Sequence, residues 1–133
     1  MKNKELFERT VNILVNAYIN DHLLHGSCSA CVVGNLCGRK MSWSNVFYTC
    51  GKTQDFFIEE YVGEAKKQID STGYSLDELR KIEYSFETCE RDHDDDKYML
   101  NGLMSVIDCL MIIHEANIEE TEYAKSLFIK ETA

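Results

Sequence analysis

The chain has 133 residues, a length typical of one domain, and 44% of them are hydrophobic, which is enough to build a core. Its formal net charge is -9, from 23 acidic and 14 basic residues, and nucleic-acid partners need clustered Lys and Arg. The sequence therefore argues against a nucleic-acid-binding protein, and no apolar stretch is long enough to predict a membrane span.

Apolar positions recur at steps of three and four along most of the chain, and this spacing predicts helices. There is no proline to interrupt them. Ser75 and Glu78 have the spacing of a capping box at the start of one helix, and Gly38 is placed to end another. The pattern predicts, in chain order, helices over 4–24, 30–38, 54–70, 76–89, 98–115 and 118–130.

Two further segments connect these helices. Residues 43–50 carry strand-favouring types but are few, so we predict an extended or irregular segment covering the cysteines before it. Residues 90–96 are predicted to be a solvated acidic loop. The helix over 98–115 is the most apolar and is predicted to be central. The sequence thus predicts an all-α fold, one domain over 1–133 with five or six helices and a Cys/His-bearing connection after the first.

The densest chemistry follows the first predicted helix. His25, Cys28 and Cys31 lie at three-residue steps, and imidazole and thiolate are the ligands that a tetrahedral zinc ion prefers. The fourth ligand is either Cys37 or Cys50. In a helix over 30–38, Cys37 would lie about 240° around the axis from Cys31, which favours Cys50. If the segment is a loop, Cys37 is the nearer choice. The prediction is a structural zinc site at His25, Cys28, Cys31 and Cys50.

Zinc binding is one of several roles that these cysteines could have. Cysteine is among the most buried residue types, so plain packing accounts for Cys89 and Cys109 on the apolar sides of their helices, and is an alternative for the cluster. A redox dithiol and an iron–sulfur cluster are further alternatives. The N-terminus has no signal-like apolar region, so we expect a cytoplasmic protein, in which closely spaced cysteines bind metal more often than they form disulfides.

A second constellation lies on the later helices. Glu83 and Glu87 are one turn apart, and with Asp108 and His114 they would form a polar pocket that binds magnesium in a small nucleotide hydrolase. The competing interpretation, which we favour, places Glu83 and Asp108 at the edge of the apolar face with hydrogen bonds at the surface. His114 is then a hydrogen-bonded histidine at a helix C-terminus.

Three stretches resemble a set of small proteins from gut-type anaerobic bacteria and their phages, for which no activity is known. They are His-Gly-Ser-Cys-Ser-Ala-Cys-Val-Val-Gly-Asn-Leu at 25–36, Thr-Gly-Tyr-Ser-Leu-Asp-Glu-Leu at 72–79 and Asn-Gly-Leu-Met-Ser-Val-Ile-Asp at 101–108. The resemblance implies a phage or mobile-element accessory protein, such as a virion component or an inhibitor of a host factor. It also implies that the Cys37 position varies, which supports Cys50.

The sequence therefore predicts a non-enzymatic interaction protein with a structural zinc site, located in the cytoplasm of a bacterial host or in a virion. The expected partner is a protein, with neither nucleic acid nor membrane involved, and the sequence leaves open whether the chain forms a homo-oligomer. The alternatives are the metal-dependent nucleotide hydrolase and a small-nucleotide-binding protein.

Overall fold

The protein is described by a computed structural model over residues 3–26, 30–39 and 63–132. Within these ranges the chain forms six α-helices and no strand, so the predicted all-α fold class is confirmed. The predicted segment 43–50 and the first part of the predicted helix over 54–70 lie outside the described residues. The helices are α1 (Lys4–Ile19), α2 (Val32–Leu36), α3 (Gly63–Ser71), α4 (Leu76–Glu87), α5 (Asp95–His114) and α6 (Ile118–Thr132).

Helix α1 ends at Ile19, five residues before its predicted end. Asp21 takes a left-handed backbone conformation with φ of 56°. The backbone N–H of His22 then donates to the carbonyl of Ala17 at 2.8 Å, which closes the last turn. A short polar side chain tolerates this conformation better than most, so Asp21 ends the helix where glycine is the usual residue. Leu23 fits the apolar spacing of a helix because it is buried, although it lies beyond the end of α1.

Helices α2 and α5 also begin at positions set by local caps. The Cys31 sulfur accepts a hydrogen bond from the Gly34 N–H at 3.3 Å, so Cys31 caps α2. Asp94 accepts from the backbone of Asp96 and Lys97, which starts α5 three residues before the predicted position. The last residues of the predicted acidic loop are therefore helical.

The capping box at the start of α4 is present as predicted. The Ser75 hydroxyl accepts from the Glu78 N–H at 3.1 Å, and the Glu78 carboxylate accepts from the Ser75 N–H at 2.8 Å. Such caps contribute about 1 kcal/mol each. This cap fixes the residue at which α4 begins.

The central position predicted for α5 is confirmed, since it packs against α1, α4 and α6. Leu103, Val106, Ile107 and Leu110 of α5 are fully buried. Helix α4 lies along α5, and α2 is held between α1 and α4. Among the residues described, no helix has both the length and the apolar character to cross a membrane. The arrangement brings the connection between α1 and α2 against the C-terminal end of α4.

Candidate functional site

His25 lies in that connection, between two aromatic rings from different helices. Its imidazole stacks on the Phe86 ring of α4, with centroids 4.2 Å apart and planes 9° apart. On its other face it stacks on the Tyr98 ring of α5 at 3.9 Å and 10°. The Arg91 guanidinium lies 5.4 Å from the centroid of Tyr98 and extends the column. Only 14% of the His25 side chain is exposed, so this histidine is part of the helix packing.

The Glu87 carboxylate fixes the orientation of the His25 ring. One of its oxygens lies 2.7 Å from His25 Nδ1, and the other accepts from the Gly26 N–H at 2.5 Å. The carboxylate side chain is only 6% exposed. The other ring nitrogen, Nε2, is buried and has no hydrogen-bond partner among the described residues. The site therefore presents one imidazole nitrogen fixed by a carboxylate and a second that is buried without a partner.

The connection is also held from the side of α2. The Asn35 amide lies within 3.1 Å of three carbonyl oxygens, those of His22, Ala30 and Cys31, and it donates to them. An amide has two N–H groups, so one of them is shared between two carbonyls. The Leu24 N–H donates to Ala30 O at 2.8 Å, which joins the two ends of the loop. These bonds position His25 and Cys31 on the same short connection.

Two buried thiols flank α2, Cys31 at its start and Cys37 at its end. Both lie within the electrostatic range of Glu83, and the Glu83 carboxylate is in hydrogen-bond contact with the Cys31 thiol. Burial and the charge of Glu83 raise the pKa of Cys31 far above its ordinary value, although the Gly34 N–H opposes the shift. The same two causes raise the pKa of Cys37 to about 12.

These protonated thiols bear on the redox interpretation. A redox-active cysteine needs a thiolate at neutral pH, and hence a lowered pKa. Cys31 has the opposite shift, and no part of its surface is exposed. Metal binding is not subject to this objection, because a divalent cation displaces the thiol proton and supplies the missing positive charge. The environment of Cys31 thus favours packing or metal binding over dithiol exchange.

The raised pKa values predict that the protein loses stability at alkaline pH. Cys37 goes from an ordinary 9.0 to about 12, and Tyr74 from 10.0 to about 12. Above pH 9 the unfolded chain releases these protons while the folded chain retains them. We expect the free energy of unfolding to fall as pH rises from about 9 to about 12, measured by urea denaturation. The C37A variant should show a shallower fall, and a wild-type protein of constant stability over this range would contradict the prediction.

The described residues contain only part of the predicted zinc site. His25 and Cys31 are described, whereas Cys28 and Cys50 lie outside the described residues. In the ranges that the structure covers, no three side chains of His, Cys, Asp or Glu are close enough together to hold a metal ion. A zinc ion at His25 and Cys31 would therefore take its remaining ligands from the undescribed residues.

The second constellation does not form one pocket. Asp108 is exposed and pairs with Lys125 at 2.7 Å. His114 is fully buried at the end of α5, where its Nε2 is 2.8 Å from the Tyr74 hydroxyl. The Tyr74 hydroxyl in turn lies 2.8 Å from Thr10 Oγ1. The favoured interpretation of Asp108 and His114 is thus confirmed.

For Glu83 the favoured interpretation is wrong. We expected this side chain at the surface edge of α4, but it is 1% exposed and faces the Cys31 thiol. Glu87, one turn later, holds His25. Each of the four side chains of the proposed hydrolase pocket therefore has a different partner, which removes the geometric basis for shared magnesium binding.

Cys89 and Cys109 are half-buried rather than fully buried. The Cys89 sulfur donates to the Tyr98 carbonyl at 3.7 Å, and Cys109 is in hydrogen-bond contact with Ser85. Both contacts are local to the α4 and α5 pair. These two thiols therefore pack at the edge of the core rather than inside it. Among the described residues, neither thiol shares a hydrogen-bond partner with His25.

Sequence reasoning missed the pairing of His25 with Phe86, Glu87 and Tyr98, which are more than 60 residues away along the chain. One signal was present in Gly102, an isolated glycine within the most apolar helix. A Cβ at Gly102 would lie 2.8 Å from the Phe86 ring and 3.0 Å from His25 Cε1. The glycine thus marks the point where α5 approaches the histidine closely.

No family model, no curated protein and no solved structure matches this chain.

Proposed function

We propose that the chain is a non-enzymatic interaction protein with a structural zinc ion. The ion would join the connection between α1 and α2 to a residue that follows α2. The observation that carries the zinc proposal is His25. Its Nδ1 is fixed by Glu87, and its Nε2 is buried without a hydrogen-bond partner among the described residues. The proposed ligands are His25, Cys28, Cys31 and Cys50.

The His25 geometry fits a metal ligand for two reasons. A metal-binding histidine usually donates its second ring N–H to a carboxylate, which sets the tautomer and leaves the other nitrogen free to coordinate. Leaving a buried polar nitrogen unpaired costs about 1–3 kcal/mol, and coordination would remove that cost. With Nδ1–H donated to Glu87, Nε2 is the nitrogen that carries the lone pair.

Cys31 fits the same proposal through its backbone partner. The Gly34 N–H already points at the sulfur, and such a donor stabilises a thiolate. Zinc binding would remove the thiol proton, and the free energy of binding would add to the folding free energy. A closed shell of four protein ligands leaves no position for a substrate, so the ion would be structural rather than catalytic.

The proposal of a non-enzymatic role draws support from the second constellation. Asp108 pairs with Lys125 at the surface, and His114 is hydrogen-bonded within the core. Neither side chain lies where it could bind a metal ion or position a water together with Glu83 and Glu87. Binding to another protein is then the simplest role for an acidic helical domain of this kind, with a net charge of -9.

The zinc proposal is tested by elemental mass spectrometry on protein purified without chelator. We expect about one zinc per chain for the wild-type protein, and a loss of zinc in H25A, C28A and C31A. C50A and C37A decide the fourth ligand, since only the variant that lacks a ligand should lose the metal. C89A and C109A are matched controls, because they remove thiols that lie just after α4 and on α5, and they should keep the zinc.

A wild-type protein that contains no metal and is unchanged in stability after chelator treatment would overturn the zinc proposal. Retention of zinc in H25A with full occupancy would remove His25 from the ligand set.

A further inference from the structure

A groove runs between α1 and α6, on a part of the molecule that neither the zinc proposal nor the His25 stack uses. It has a volume of about 580 Å³. On α1 its lining residues are spaced as one helix face, from Lys4 to Asn12, and on α6 they run from Glu119 to Leu127. At 1.5 Å per residue, each wall is about 12 Å long, which matches two to three turns of a bound helix.

The floor of the groove is apolar. Phe7 and Val11 of α1 and Ala124 of α6 are each at most 4% exposed, and Leu127 is half-buried beside them. The small Ala124 side chain leaves the depression between the two helices. Tyr123 stands at the edge with 64% of its surface exposed. An amphipathic helix binds such a groove through apolar residues at steps of three and four.

The rim of the groove is acidic. Glu8, Glu119 and Glu120 line it, against the single ammonium group of Lys4. None of the three carboxylates forms an ion pair with any residue that the structure describes. The rim therefore carries three carboxylates that form no ion pair with the described residues, two of them in the first turn of α6.

We propose that the α1–α6 groove binds a basic amphipathic helix of a partner protein, with its apolar face against Tyr123 and Leu127 and its Lys or Arg side chains at the three glutamates. The proposal rests on the proposed role as an interaction protein and names the partner's chemistry. A second copy of this chain would bring an identical acidic rim, and like charges disfavour that pairing. The same charge disfavours phosphate-bearing surfaces.

The test uses a designed 14-residue peptide of Leu and Lys with helical amphipathic spacing, titrated into the full chain by calorimetry at low salt. The variant E8Q/E119Q/E120Q should bind about tenfold more weakly, because three favourable charge contacts are lost. The matched control E5Q/E122Q/E90Q removes the same total charge from exposed glutamates that do not line the groove, and it should bind like the wild-type protein. Y123A should also weaken binding, by loss of apolar contact that salt does not screen.

Equal weakening by both triple variants would show only general attraction between an acidic protein and a basic peptide, and would overturn the groove proposal. Absence of peptide binding to the wild-type protein would also overturn it. So would self-association through this face, which light scattering would show as a mass that rises with concentration and that E8Q/E119Q/E120Q changes. Melting curves of each variant establish that it is folded. The zinc content is measured on the same samples, so failure of the groove and failure of the zinc site are separate results.

Discussion

Replacing Phe86 with alanine is expected to lower the free energy of unfolding by about 3–5 kcal/mol, the range for a fully buried aromatic ring. Phe86 has no exposed surface and belongs to the core between α4 and α5. It also carries one face of the His25 ring, at a centroid distance of 4.2 Å. The change therefore creates a cavity in the core and removes the surface on which the histidine packs. The measurement is urea denaturation followed by circular dichroism.

A matched control separates these two effects. Phe128 of α6 is also fully buried, and its ring contacts Tyr18 at a centroid distance of 6.0 Å. F128A should lose stability to a similar extent while leaving the NMR signals of the His25 ring in place. F86A should shift those signals strongly. Equal His25 spectra in the two variants would contradict the stacking role that we assign to Phe86.

The H25A variant is expected to lose about 2–4 kcal/mol of stability in the presence of chelator. This loss combines a hydrogen bond to a charged group with stacking on two rings. Among the described residues, Glu87 would keep only the Gly26 N–H as a partner while remaining largely buried. E87Q removes the carboxylate charge at the same contact. A double-mutant cycle of these two changes should give a coupling of about 1–3 kcal/mol.

Repeating the cycle without chelator tests the metal at the same contact. If zinc is bound, H25A should cost more stability without chelator than with it, because binding free energy is also lost. E87Q should lower the affinity for zinc by about 10–100-fold, which is the range for a group that orients a metal ligand. H93A is the control, since His93 is exposed in the loop before α5. Identical costs for H25A under the two conditions would speak against coordination by His25.

The helices were predictable because apolar spacing and caps act locally. Ser75 and Glu78 determine the start of α4 within four residues of chain, so the sequence alone predicts this capping box. The helix ends were less predictable. Asp21 stops α1 by adopting a left-handed conformation, and nothing in the apolar pattern distinguishes Leu23 beyond it from a helical residue. Asp94 starts α5 inside a run of acids that was predicted to be loop.

The candidate site was only half predictable. The sequence placed His25 and Cys31 in one connection, since their spacing is local. It could not show that Glu87 meets His25, because that contact depends on how α4 is oriented in the folded chain. Glu83 is the clearest case. Its position between Leu79 and Phe86 placed it near the core side, but only the neighbouring α2 decides that it is 1% exposed beside Cys31. Charge alone favoured the surface.

The His25 stack also has a consequence for the order of events in folding. Helices α4 and α5 are neighbours in sequence, so their pairing closes a short loop and requires little loss of chain entropy. The histidine joins them from about 60 residues away, and it needs the Phe86 and Tyr98 rings already facing each other to form its slot. We therefore expect the histidine to dock after the main folding barrier. Weakening the stack would then shorten the lifetime of the folded protein while leaving the rate at which it forms nearly unchanged.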